Sequence, residues 1–171
     1  MRRLLLLLPL VLCAACSSDD DLTTPTPPTG SVPTIGGTYN SPTMWRFDRT
    51  LPTGNQQFIC SGGITIANQI GTSFSGTFFI ADSNCAPQVI SGSLINGTLQ
   101  TDGSVSFELT LPGTEPPFMS AVFGCNYVSG DRVVNGTLAN NQLTARTSTD
   151  MECQAGPSTV VMQVSGARGA G

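Results

Sequence analysis

The sequence predicts an all-β domain, an antiparallel up-and-down barrel of about eight or nine strands, and three observations carry that expectation. Apolar residues alternate with polar ones: Val105, Phe107, Leu109 and Leu111 are interleaved with Ser104, Ser106, Glu108 and Thr110. That is the period of a strand with one buried face. Turn residues recur at short intervals, as at Gly71-Thr72, Asp102-Gly103, Ser129-Gly130-Asp131 and Asn140-Asn141. Finally, four segments read apolar-x-Gly-Thr-apolar, beginning at Ile35, Phe74, Ile95 and Val134. Alternation puts each of these glycines on the face of its apolar neighbours. Glycine weakens a strand unless the backbone must bend or approach a neighbour closely, so recurrent core-facing glycines suit a sheet that coils until it closes. A two-sheet β-sandwich is the alternative, since strand patterns alone separate the two poorly.

Taken in order, the strands are expected at 35–47, 58–67, 74–81, 88–99, 104–111, 118–128, 132–139, 142–149 and 159–167. Ile64 and Ile66 flank Thr65 in the second, and Val160, Met162 and Val164 alternate with Val161, Gln163 and Ser165 in the last. The stretches 92–109 and 130–147 are alike, each a strand with an Asn-Gly-Thr-Leu core, a turn and a second strand. Short turns between neighbours make the pairing antiparallel. No helical pattern stands out after Ile35.

The first 34 residues do not belong to this domain. Arg2 and Arg3 precede an apolar run from Leu4 to Leu12, too short to span a bilayer, and the segment closes on Cys13-Ala14-Ala15-Cys16. It resembles a bacterial lipoprotein signal with its lipobox, although Cys13 stands where leucine is commonest. The resemblance implies removal of residues 1–15 and lipidation of Cys16, which anchors the protein to a membrane without a spanning helix. Ser17 follows and aspartate comes only at Asp19, which favours the outer membrane in an enteric-type envelope. Residues 16–34 carry Asp19-Asp20-Asp21, Pro25, Pro27, Pro28 and Pro33 with little to bury, and read as a disordered tether. Residues 35–168 form the single domain.

The domain itself resembles the small barrels of the avidin and lipocalin kind at the level of pattern. Those open on a Gly-x-Trp strand, and Gly37-Thr38-Tyr39 occupies that place here. The likeness implies that Arg168, near the last strand, packs across Tyr39. Tyr39 replaces the usual Trp, and Trp45 is the only tryptophan, so biotin binding is not implied.

Four cysteines remain beyond Cys13 and Cys16: Cys60, Cys85, Cys125 and Cys153. An even number in an exported chain points to two disulfides. A hairpin turning near residue 70 brings Cys60 close to Cys85, which leaves Cys125 to pair with Cys153. Without Cys-x-x-Cys or any histidine, the pattern does not suggest a metal site.

Composition limits the chemistry further. The chain has no histidine and no lysine, and acids outnumber arginines 11 to 7, with two of the seven in the leader. Histidine-based triads and lysine Schiff bases are thereby excluded. The acidic balance argues against nucleic-acid binding. No cofactor is expected. An acid-base enzyme would need two or more of Asp48, Glu108, Asp131 and Glu152 to converge, whereas aspartates such as Asp82, Asp102 and Asp131 sit at turns. Tyr39, Trp45 and Arg46 are the candidate ligand-binding residues, with the 44–49 segment either a pocket rim or an ordinary strand. The leading expectation is a non-enzymatic, lipid-anchored barrel that binds a small apolar ligand or an envelope partner. Its alternative is a packed interaction module displayed at the cell surface. A large cavity would favour the first and a filled interior the second.

Overall fold

The computed structural model describes residues 31–81, 90–113 and 117–169, excluding the side chains of 41–44. The leader, Cys16, most of the tether, Asp82 and Cys85 lie outside the described residues. The strands are β1 (Gly37–Leu51), β2 (Gly54–Ile70), β3 (Ser73–Ile80), β4 (Ile90–Leu99), β5 (Ser104–Thr110), β6 (Asn126–Gly130), β7 (Val133–Ala139), β8 (Gln142–Cys153) and β9 (Gly156–Arg168). One short helix, α1 (Phe118–Phe123), interrupts them between β5 and β6.

Each strand pairs antiparallel with its neighbour in sequence, except that β5 passes over β6 to β7, and β9 pairs back onto β1. The resulting ring of eight, β1–β2–β3–β4–β5–β7–β8–β9, is an up-and-down barrel paired all the way round. Both β6 and β7 lie along β8, opposite Thr149–Glu152 and Gln142–Arg146 respectively. They are one wall position broken at Asp131-Arg132. The break turns the Asp131 carbonyl toward the core, where the Thr147 and Thr149 hydroxyls donate to it at 3.1 and 3.3 Å. A buried carbonyl left unpaired is costly, so these two buried threonines make the break tolerable.

The glycines act where the strands crowd. A Cβ on Gly76 would fall 2.1 Å from the Thr65 carbonyl oxygen, and one on Gly136 would fall 2.1 Å from that of Thr144. No side chain fits there, so the repeated motif marks where adjacent backbones coil tightly against each other. Bulges add to the curvature, with register shifts in the β2–β3, β3–β4 and β4–β5 ladders.

Several expectations need correction. The strand expected at 118–128 is a helix followed by the short β6. Phe118, Met119, Val122 and Phe123 recur at helical spacing, which a short apolar run hides. Pro117 precedes the helix, and Gly124 ends it in the left-handed conformation at φ 62°, its N–H donating to the Ser120 carbonyl. The hairpins are also longer than expected. β1 and β2 run on to Leu51 and back from Gly54, and β8 and β9 extend to Cys153 and from Gly156. Those extensions carry polar residues such as Asn55, Gln56 and Gln57, which read as loop because their ladder continues past the core.

Candidate functional site

Alternation sends the apolar half of every strand into the barrel. Trp45, Phe107, Leu94 and Met162 are completely buried along its interior, with Trp45 packed at 5.7 Å against Phe78. Gly62 makes room for the indole, since a Cβ there would fall 2.7 Å from Trp45 Nε1. Burial of this kind stabilises by about 25 cal/mol per Å² of apolar surface, and it leaves little free space. Beside α1, a void bounded by Leu109, Phe118, Met119, Val134 and Met162 amounts to about 10 Å³. That is near the smallest space that holds one water molecule.

The two ends of the barrel are closed differently. At the end where β1 meets β2, α1 lies across the opening. Phe118 packs edge-on to Phe78 at 5.2 Å, and Phe123 reaches Phe47 and Phe58 at 5.8 and 6.0 Å. Arg49, on the inward side of β1, donates to Ser158 Oγ at 3.0 Å and stacks 5.5 Å from the Phe123 ring. Directly after the helix, Cys125 is disulfide-bonded to Cys153 at the end of β8, with α-carbons 4.6 Å apart. Cys60, buried on β2, is also disulfide-bonded, and the Cys85 half of its expected pair lies outside the described residues.

At the opposite end the incoming chain is the plug. Ile35 is fully buried; its N–H donates to Gln69 Oε1 at 2.8 Å, while Gln69 Nε2 donates to the Pro33 carbonyl at 2.9 Å. The Tyr39 hydroxyl donates to the Ile35 carbonyl at 2.8 Å. Arg168 lies 5.8 Å over the Tyr39 ring and donates to its hydroxyl and to the Thr34 carbonyl. Thus Pro33 and Thr34, the last residues assigned to the tether, are held against the barrel.

The structure separates the three candidate ligand residues. Tyr39 and Trp45 are core side chains with no exposed surface. Arg46 points outward from β1 and forms an ion pair with Asp48 at 2.8 Å. Nor are the candidate acids brought together. Asp48 and Glu108 lie on β1 and β5, on opposite sides of the eight-strand ring, and Glu108 accepts from Asn96 at 2.9 Å. Asp131 is at the wall break and Glu152 near the end of β8. Among the described residues, no group of three acidic or cysteine side chains is placed to hold a metal ion.

Outward positions are mostly polar, with hydroxyls and amides such as Thr65, Ser93, Ser106, Thr144 and Gln163 on that face and only scattered apolar residues, Ile59, Ile70, Phe79 and Val128, exposed among the described residues. A barrel that spans a membrane has the reverse arrangement, an apolar band outside. Among the described residues, no helix is long and apolar enough to cross a membrane. Three carboxylates on this wall sit below the usual range. Asp48 is held down by hydrogen bonds from Gln57 and then Arg46, Asp102 by the backbone N–H and hydroxyl of Ser104, and Asp150 by Thr159 and then Ser129.

No protein-family model, curated protein or solved structure matches this chain.

Sequence reasoning missed one feature of the outer wall. Arg46 and Arg146 sit in one cross-strand row on either side of Gln163, each paired in register with it. The signal was present, since Arg46 lies between Trp45 and Phe47 and Arg146 between Ala145 and Thr147, all four of which are buried, but only the ring closure makes β1 and β8 near neighbours.

Proposed function

We propose that the chain is a lipid-anchored cell-envelope protein, attached through Cys16 at the outer membrane, whose barrel is a packed interaction module. The observation that carries this reading is the filled interior. Trp45, Phe107, Leu94 and Met162 occupy the space that a carrier barrel leaves for cargo, and the void beside α1 is too small for any organic ligand. The polar outer wall supports the same reading, because it is the surface left for recognition. The leader pattern and the Pro-rich tether support attachment by lipid and presentation away from the membrane. The lipocalin-like placing of Arg168 over Tyr39 closes the barrel end and is no part of a ligand site.

Native mass spectrometry of the exported full chain, before and after denaturation, tests the reading. A mass equal to the lipidated polypeptide in both states is expected. Release of an additional small molecule on unfolding would instead support a ligand-carrying barrel. Replacing Cys16 with serine should move the protein from the membrane fraction to the soluble one, and an unchanged distribution would overturn the anchor.

A further inference from the structure

On the outer wall, two exposed arginines face a single groove. A groove of about 390 Å³ crosses β1, β9 and β8, lined by Arg46, Thr144, Arg146, Gln163 and Ser165 over Ala145 and Val164. Arg46 and Arg146 flank it from strands one removed from each other, so their backbones stand about 10 Å apart at ordinary strand spacing. Both side chains are exposed.

The remaining arginines among the described residues are otherwise engaged. Arg49 and Arg168 close the barrel ends, and Arg132 stacks 5.2 Å over Tyr127. Asp48 takes only the Nε of Arg46, through both of its carboxylate oxygens, so the two terminal amino groups of that guanidinium are not used in this pair. Arg146 forms no salt bridge or hydrogen bond among the described residues. It influences Asp48 only at a distance, lowering its pKa. A guanidinium offers a planar fork that matches a carboxylate, and two forks facing one groove are a cationic site on a chain of net charge −4.

We propose that this groove binds a carboxylate-bearing glycan, a polymer of acidic sugars, with Arg46 and Arg146 each engaging a carboxylate. Gln163, Thr144 and Ser165 between them present an amide and hydroxyls suited to sugar hydroxyls. A protein partner would call for a large apolar anchor at the centre of the patch, and none lies there. The exposed Ile70, Phe79 and Val128 are on other strands, and Ile59 flanks Arg46 outside the groove. The span between the two forks suits an oligomer more than a single small acid. This inference rests on the packed-module reading, for which it names the partner class.

The test is the fluorescence anisotropy of labelled oligogalacturonate titrated with the full chain at low ionic strength. Its methyl-esterified form, the same polymer with the carboxylates blocked, serves as the comparison. Saturable binding of the acid form and none of the ester are expected. Arg146→Gln should weaken binding about tenfold and Arg46→Gln/Arg146→Gln further, with Arg146→Lys between wild type and Arg146→Gln. Arg132→Gln should change it less than about twofold, since that cation lies outside the groove, and unchanged denaturation midpoints would verify that the variants fold. Equal binding of the ester, no saturable binding of the acid, or an equal loss in Arg132→Gln would overturn the proposal. The native mass of the same preparation keeps the two readings apart. A bare mass without oligogalacturonate binding overturns the groove alone, whereas released cargo overturns the packed module itself.

Discussion

The barrel's two ends solve the same problem by different means. At the β1–β2 end a helix is laid across the opening and fixed by a covalent bond between Cys125 and Cys153. At the other end the chain closes the barrel with its own entering segment, through hydrogen bonds among Pro33, Thr34, Ile35, Tyr39, Gln69 and Arg168. The second solution couples the plug to the chain that precedes it, because Pro33, Thr34 and Ile35 themselves close the barrel. The first is independent of that segment. A pull on the amino terminus is thus borne by side-chain packing and hydrogen bonds, while the disulfide secures the end away from it.

The largest effect expected is at the tether end. Tyr39→Ala removes a fully buried ring, leaves the Ile35 carbonyl without its donor and takes away the surface on which Arg168 rests. Loss of a buried aromatic costs about 3–5 kcal/mol, and the chemical denaturation midpoint should fall accordingly. Phe123→Ala, at the half-buried helix end, should cost clearly less. Equal losses would show that the two ends share their stability and differ only in geometry.

Next comes the covalent closure. The Cys125–Cys153 bond spans 28 residues, and chain entropy for a loop of that size corresponds to about 3–4 kcal/mol. A Cys125→Ala/Cys153→Ala variant should lose about that much while retaining the protection of β1 amides against hydrogen exchange. If exchange at Tyr39 and Trp45 rises as much as at Tyr127, the ends are not independent. Tyr39→Phe is the finer probe of the tether end. It keeps the ring and removes only the hydroxyl, so a loss of about 1 kcal/mol is expected from the hydrogen bond to the Ile35 carbonyl.

How far this contrast could be read in the sequence follows from the range of the forces involved. The wall was legible because alternation and turn chemistry are local. The alternation over Val105–Leu109 reports which face each residue takes, and Gly76 and Gly136 do sit where strands crowd, whereas a register shift after Ile95 turns that motif residue outward, opposite Glu108. Arg168 over Tyr39 was legible only by resemblance. The helix was not, because a run of six residues with five apolar ones satisfies either period, and what decides between them is the opening that Phe118 and Phe123 must cover. The filled interior was equally hidden. Alternation tells which residues face inward but not whether they meet, and Trp45 takes the space that Gly62 leaves. As for the arginine groove, Arg46 and Arg146 are 100 residues apart in sequence and share a row only because β9 joins β1 to β8.

The smallest expected effect distinguishes the ends by pH. Asp150 accepts from Thr159 and Ser129 and so ties β9 and β6 to β8 near the disulfide, whereas Asp102 caps a turn at the tether end through the Ser104 N–H. Both carboxylates have folded pKa values below their ordinary ones. A depressed folded pKa stabilises the protein above the unfolded value, near 3.9, and that contribution is lost as pH falls through the folded value. The denaturation midpoint should therefore hold steady from neutral pH to about 4 and decline below it. Because both groups are exposed, the decline should be slight. Asp150→Asn should flatten part of it, and Asp102→Asn another part, each independently. If Asp150→Asn alone removes the entire acid slope, the hydrogen bonds that join β6, β8 and β9 dominate, and the covalently closed end is also the one that answers to acid.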